Sequence, residues 1–222
     1  MLLSCLVPVC GEDVEVTERF TDLGSDIHVF AGCEPEVNRH LGQALGLMDS
    51  LDHGVWCCQY LCGRTKVCFF RSLVLPVLLS GCESWTLTRD LRRRLNCFGT
   101  RSLQRILGHH WLDFVSNERL LREIQMRFVT CIVREHQLQL YGHVAHFPDA
   151  DPSHKILSAR ESHEWRRPMG RPRASWLQQV DPYLKEMGMG QASAGAIARR
   201  RLLEYWRKVD AATRCSGACS HT

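Results

Sequence analysis

A mainly α-helical protein, a helical bundle with a short N-terminal β-hairpin, is the fold class this sequence predicts. Three observations carry it. From residue 34 to near residue 210, apolar residues recur at steps of three and four, the period of a helix with one buried face. Alternation of period two is confined to about residues 14–30. Apolar residues make up 45% of the 222 and charged residues 23%, which is the balance of a chain able to bury a core.

The elements follow in order. Val14, Val16 and Phe20 fall at even positions, and Leu23, Gly24, Ser25 and Asp26 supply a turn, so residues 27–30 can return as the second strand of a hairpin. Pro35 suits a first helical turn, and Val37, Leu41, Ala44, Leu45 and Met48 follow at helical spacing. Residues 65–79 predict a helix apolar nearly all round, and therefore buried, which Pro76 kinks or ends. Thr88 caps a third helix whose buried face is Leu91, Leu95, Phe98, Ser102 and Ile106. Arg94, Arg101 and Arg105 form the adjoining stripe, and Gly99 weakens the helix by about 1 kcal/mol. A short helix opens at Ser116, and a longer one covers 128–146. The run from Phe147 to Pro152 then breaks the chain. Residues 165–176, WRRPMGRPRASW, hold two Pro, one Gly and four Arg and predict an exposed basic loop. Helices follow near 175–187, kinked or split at Pro182, and near 193–211.

Net charge is only +4, but it is unevenly placed. Residues 89–107 carry six Arg against Asp90, and residues 160–173 five Arg against Glu161 and Glu164. Such clusters are the footprint of phosphate contact, since guanidinium forks bind phosphate in a bidentate manner. The twelve cysteines are irregularly spaced, which predicts free thiols in a reducing intracellular compartment, nuclear or cytoplasmic, most of them acting as small buried hydrophobes. The most apolar run, 67–79, is short of the roughly 20 residues a bilayer needs and contains Arg71 and Pro76, so no membrane span is expected.

No catalytic constellation emerges. There is no Gly-rich phosphate loop, nucleophile elbow or paired zinc-binding histidine motif, and no Asp-Asp pair to hold two catalytic metals. His53, Cys57, Cys58 and Cys62 lie close together, as do Cys215, Cys219 and His221. Neither group has the second pair of hooks a structural zinc site uses. His136, His143 and His146 share a helix face without a matching carboxylate. The expectation is no catalytic residue, no metal and no cofactor. The nucleic-acid-binding candidates are Arg94, Arg101, Arg105, Arg166, Arg167, Arg171 and Arg173. Trp165 and Trp176 bracket the loop, where aromatic rings beside arginine can stack on bases or anchor the loop to the core.

Five stretches in order are similar to the tail of LINE-type (non-LTR) retrotransposon polyproteins: FTDLGSDI at 20–27, VLPVLLSGCESWTLT at 74–88, LNCFGTRSLQRILG at 95–108, LYGHVAHFPDADP at 140–152 and GRPRASWLQQV at 170–180. EYWRKV at 204–209 resembles that tail's last motif. Asp22 departs from the pattern where Tyr is usual, and His146 where Arg is common. The resemblance covers about residues 12–210. It implies a palm remnant with the hairpin at 1–33, a helical thumb-like region at 34–152, and a basic loop with C-terminal helices at 153–222. The implied role is that of the primer grip, thumb and helical extension of an RNA-directed DNA polymerase (reverse transcriptase), lacking the catalytic palm and inactive as a polymerase alone. The implied partner is nucleic acid, RNA or an RNA/DNA duplex, held through phosphates. The rival implication is a non-enzymatic helical interaction protein derived from a retroelement, whose exposed apolar surface takes a protein partner.

Overall fold

The structure is a computed structural model; it describes residues 6–9, 12–15, 19–22, 25–28, 32–109, 113–158 and 175–215. It is mainly helical. Ahead of the helices, strands β1 (Leu6–Val9) and β2 (Glu12–Glu15) pair antiparallel, as do β3 (Arg19–Asp22) and β4 (Ser25–His28). The single hairpin expected across 14–30 is not what the backbone forms. Val14 pairs back with Val7, and the later pair sets Asp22 opposite Ser25.

Helix α1 (Glu34–Ser50) carries Glu34, Pro35 and Glu36 in its first turn, where missing N–H partners and the positive end of the helix dipole favour them. It buries Val37, Leu41, Ala44 and Met48. After a π-helical turn at Asp52–Trp56, α2 (Gly63–Phe69) runs through a second wide turn, Phe70–Val74, into α3 (Leu75–Leu78). The wide turn lies directly ahead of Pro76. It accommodates both the ring and the hydrogen bond the ring cannot make, so the chain continues to Leu78 before ending.

Helix α4 (Arg89–Leu107) forms as its sequence dictates. The Thr88 hydroxyl accepts from the Leu91 N–H, the expected face is buried, and Gly108 closes the helix at φ 71°. Gly99 costs the helix stability for a packing reason: a Cβ there would lie 2.7 Å from Val129 Cγ2. Helix α5 (Asn117–Glu123) is capped by Ser116, and α6 (Val129–His146) follows.

Helix α7 (Pro152–Ser158) precedes α8 (Trp176–Glu186). Pro182 does not split α8, which runs on to Glu186. The helix expected at 193–211 is two, α9 (Gln191–Arg200) and α10 (Leu202–Cys215). They break at Arg201, whose φ of −144° and ψ of 62° leave the helical region. The break turns the chain so that α9 and α10 both pack against α6.

Two apolar cores result. The first joins α1 to α5 with the start of α6, around Phe70, Leu78, Trp85, Leu95, Leu103 and Leu120. The second joins the rest of α6 to α8, α9 and α10, around Leu138, Tyr141, Leu184 and Tyr205. The division between them falls inside α6, between Val133 and Leu138. A strap, residues 79–88, crosses between the cores. Its centre is a 3-10 turn at Cys82–Ser84, followed by the fully buried Trp85. Among the described residues no helix is long and apolar enough to cross a membrane.

Candidate nucleic-acid interface

The three arginines of the α4 stripe do not share one environment. Arg105 reaches back to α1 and the turn after it, with its guanidinium 2.7 Å from Asp49 and 3.0 Å from Asp52. Arg94 approaches Glu34 at 3.4 Å. Both clip α4 to α1 at the protein surface, and only Arg101 stands exposed without an ion pair to any described residue. Other arginines of the bundle are also committed. Arg71 donates to the carbonyls of Ile124 and Gln125 at the end of α5. Arg134, buried, pairs with Glu186 at 2.6 Å and lies 4.4 Å from the centre of the Tyr183 ring.

Arg166, Arg167, Arg171, Arg173 and Trp165 lie outside the described residues. The two ends of their segment are defined. Leu157 of α7 and Leu177 of α8 line one cavity of about 630 Å3, together with Tyr141, His154, Gln191, Arg199 and Arg200. Arg199 is held at 2.7 Å from Asp149 and 2.8 Å from the His154 ring. Arg200 is exposed and makes no ion pair with a described residue. The Tyr141 hydroxyl donates to the Gln191 carbonyl, and burial pushes its pKa up to about 12, so it stays a neutral donor.

Trp176 has an anchoring role. Its indole N–H donates to the Glu83 carbonyl oxygen at 2.7 Å, which ties the start of α8 to the strap and leaves its ring half-buried. Arg199 and Arg200 were not singled out by sequence reasoning. Their signal, the run Arg199-Arg200-Arg201, sits in a periodic helix pattern, and the cavity exists only where α6, α7, α8 and α9 meet.

The cysteines and histidines are distributed differently from expectation. Cys82 and Cys131 are buried, but Cys57, Cys62, Cys68 and Cys97 are exposed, because they occupy solvent-facing positions of turns and helices. In the His53 to Cys62 group no three ligand atoms converge; Cys215, Cys219 and His221 have no described side chains. The histidine face of α6 is dispersed: His143 packs edge-on against Phe147, His146 Nδ1 lies 3.1 Å from the Ala198 carbonyl, and His136 turns toward the strap. There Cys82, Glu83 and His136 bring one ligand atom each within 4.8 Å of one another, the one such group among the described residues. Cys82 Sγ lies 3.4 Å from His136 Nδ1. Burial, with the Glu83 charge adding to it, pushes the thiol up to about 12.

No known protein family, curated protein or solved structure matches this chain.

Proposed function

We propose that this chain binds nucleic acid through its phosphates, as the C-terminal region of a LINE-type reverse transcriptase, and holds no polymerase active site of its own. The observation that supports this most directly is the arginine-rimmed cavity beside the two described ends of the basic segment. Leu157 and Leu177, which flank in sequence the stretch carrying Arg166, Arg167, Arg171 and Arg173, both line the cavity rimmed by Arg199 and Arg200. Arg101 adds a separate exposed cation on α4. Cations beside a recess suit a phosphate backbone, which carries no base information and is read by charge and spacing.

The test is titration of the purified chain against an RNA/DNA primer–template duplex at several salt concentrations. Replacing Arg166, Arg167, Arg171 and Arg173 together by Ala lowers affinity about equally for all sequences. It also flattens the salt slope, by up to about 0.9 on duplex DNA for each phosphate that is no longer neutralised. An unchanged slope in a folded variant overturns the reading. Nucleotide incorporation with Mg2+ or Mn2+ is expected to be absent, since among the described residues no three carboxylates converge as they would to hold two metals. The rival reading is a protein partner on an apolar face, for which the described residues offer only scattered candidates. The exposed large apolar residues Leu45, Tyr60, Leu73, Phe114 and Leu203 sit on different elements.

A further inference from the structure

We propose that Cys82, Glu83 and His136 form a zinc site with three protein ligands and an open fourth position. The donors are a thiol, a carboxylate and an imidazole, drawn from one 3-10 turn of the strap and from α6, 54 residues away in sequence. That separation is why ligand spacing gave no sign of it. The donor set selects the metal. Sulfur with imidazole suits zinc, whereas magnesium and calcium take oxygen ligands alone.

Distance agrees. Zn–S of about 2.3 Å and Zn–N of about 2.0–2.1 Å at a tetrahedral angle put sulfur and nitrogen roughly 3.5 Å apart. Cys82 Sγ and His136 Nδ1 are 3.4 Å apart. The ligands are also held in place by their neighbours. Trp176 bonds the Glu83 carbonyl at 2.7 Å, and Gln137, next to His136, bonds the Trp85 carbonyl at 2.7 Å. Chain neighbours fixed in this way hold a ligand set in position before the ion arrives. Binding replaces the Cys82 thiol proton, which passes to solvent, by the dication.

The test is titration of the full chain, stripped of metal by a chelator, with Co2+ as the spectroscopic probe, followed by Zn2+ competition. One equivalent should bind with a thiolate-to-cobalt charge-transfer band, and Zn2+ should displace it. His136→Gln, Glu83→Gln and Cys82→Ser should each weaken binding at least about tenfold, with circular dichroism reporting the fold. If Cys82→Ser does not fold, the half-exposed His136 decides. Two control chains, with Cys57, Cys58 and Cys62 all changed to Ser or with Cys215, Cys219 and His221 replaced, should keep the band. No charge-transfer band, an unchanged affinity in folded His136→Gln or Glu83→Gln, or loss of the band in either control overturns the proposal.

Discussion

The side-chain amide of Gln137 donates to the main-chain carbonyl of Trp85 at 2.7 Å, and both residues are fully buried. Gln179 continues the relay. Its Nε2 donates to the Gln137 side-chain Oε1 at 3.5 Å, and its own Oε1 accepts the Leu87 N–H at 2.8 Å. Two side chains from α6 and α8 therefore satisfy the backbone of the strap where it passes between the cores, in a place water cannot reach.

Gln137→Leu keeps the bulk but leaves the Trp85 carbonyl and the Gln179 amide unpaired. At about 1–3 kcal/mol for each of the two orphaned buried groups, the loss should be roughly 2–6 kcal/mol, read from the urea midpoint. Gln178→Ala, one residue from Gln179 but exposed and serving the α8 capping box, should cost about 1 kcal/mol or less. Equal losses would contradict the relay.

Gly99→Ala tests the closest approach of α4 to α6. The new methyl meets Val129 Cγ2 at 2.7 Å, so overpacking should outweigh the helix propensity gained and destabilise the protein by about 1–3 kcal/mol. Val129→Ala in the same chain removes the clash. The double variant should then lose less than the two single losses summed, a coupling that thermal unfolding of all four proteins measures.

Arg105 and Arg101 are one helical turn apart on α4 and should behave oppositely. Arg105 is about two-fifths exposed and occupied with Asp49 and Asp52. Arg105→Ala should shift stability by no more than about 1 kcal/mol, less in high salt, with little change in duplex affinity. Arg101→Ala should leave stability alone and weaken duplex binding in proportion to one phosphate. The reverse pattern in a filter-binding assay would place the interface elsewhere.

Thiol reactivity should rank by environment. Cys62 lies 3.1 Å from the Thr65 hydroxyl, and hydrogen bonding from Thr65 lowers its pKa, so more thiolate is present at a given pH. Cys33 and Cys82 are pushed up by burial, which keeps them protonated in the metal-free chain. Alkylation by iodoacetamide, followed by peptide mass analysis, should mark Cys62 early and Cys82 last. The rate at Cys62 should reach half its plateau below the ordinary thiol pH.

Helix α4 was legible from sequence because its main signals are local: the Thr88 cap and the Leu91 to Ile106 stripe. Its arginines were only half legible. Their charge is visible in sequence, but the acids that claim Arg94 and Arg105 lie on α1 and the turn after it, some 53 to 60 residues earlier. The same limit hid the cavity beside Arg200 and the meeting of Cys82 with His136, since both depend on which helices face each other. Exposure of Cys57, Cys62, Cys68 and Cys97 ran against residue type, because position on a helix or turn decides which side chains meet water. The break at Arg201 carries neither Pro nor Gly, so a steady apolar period concealed it.

Helix α6 is a wall of both cores, Val129 and Val133 serving the first and Leu138, Tyr141 and Ala145 the second. The positions at which the gene tolerates length changes are thereby uneven. One residue inserted between 134 and 137 rotates everything after it by about 100°, swinging Leu138 and Tyr141 off their neighbours while Val133 keeps its own. The same residue inserted in the 147–151 turn rotates no apolar face. Copies of this sequence that have gained or lost single codons and still fold should carry those changes in the turn and not in the helix.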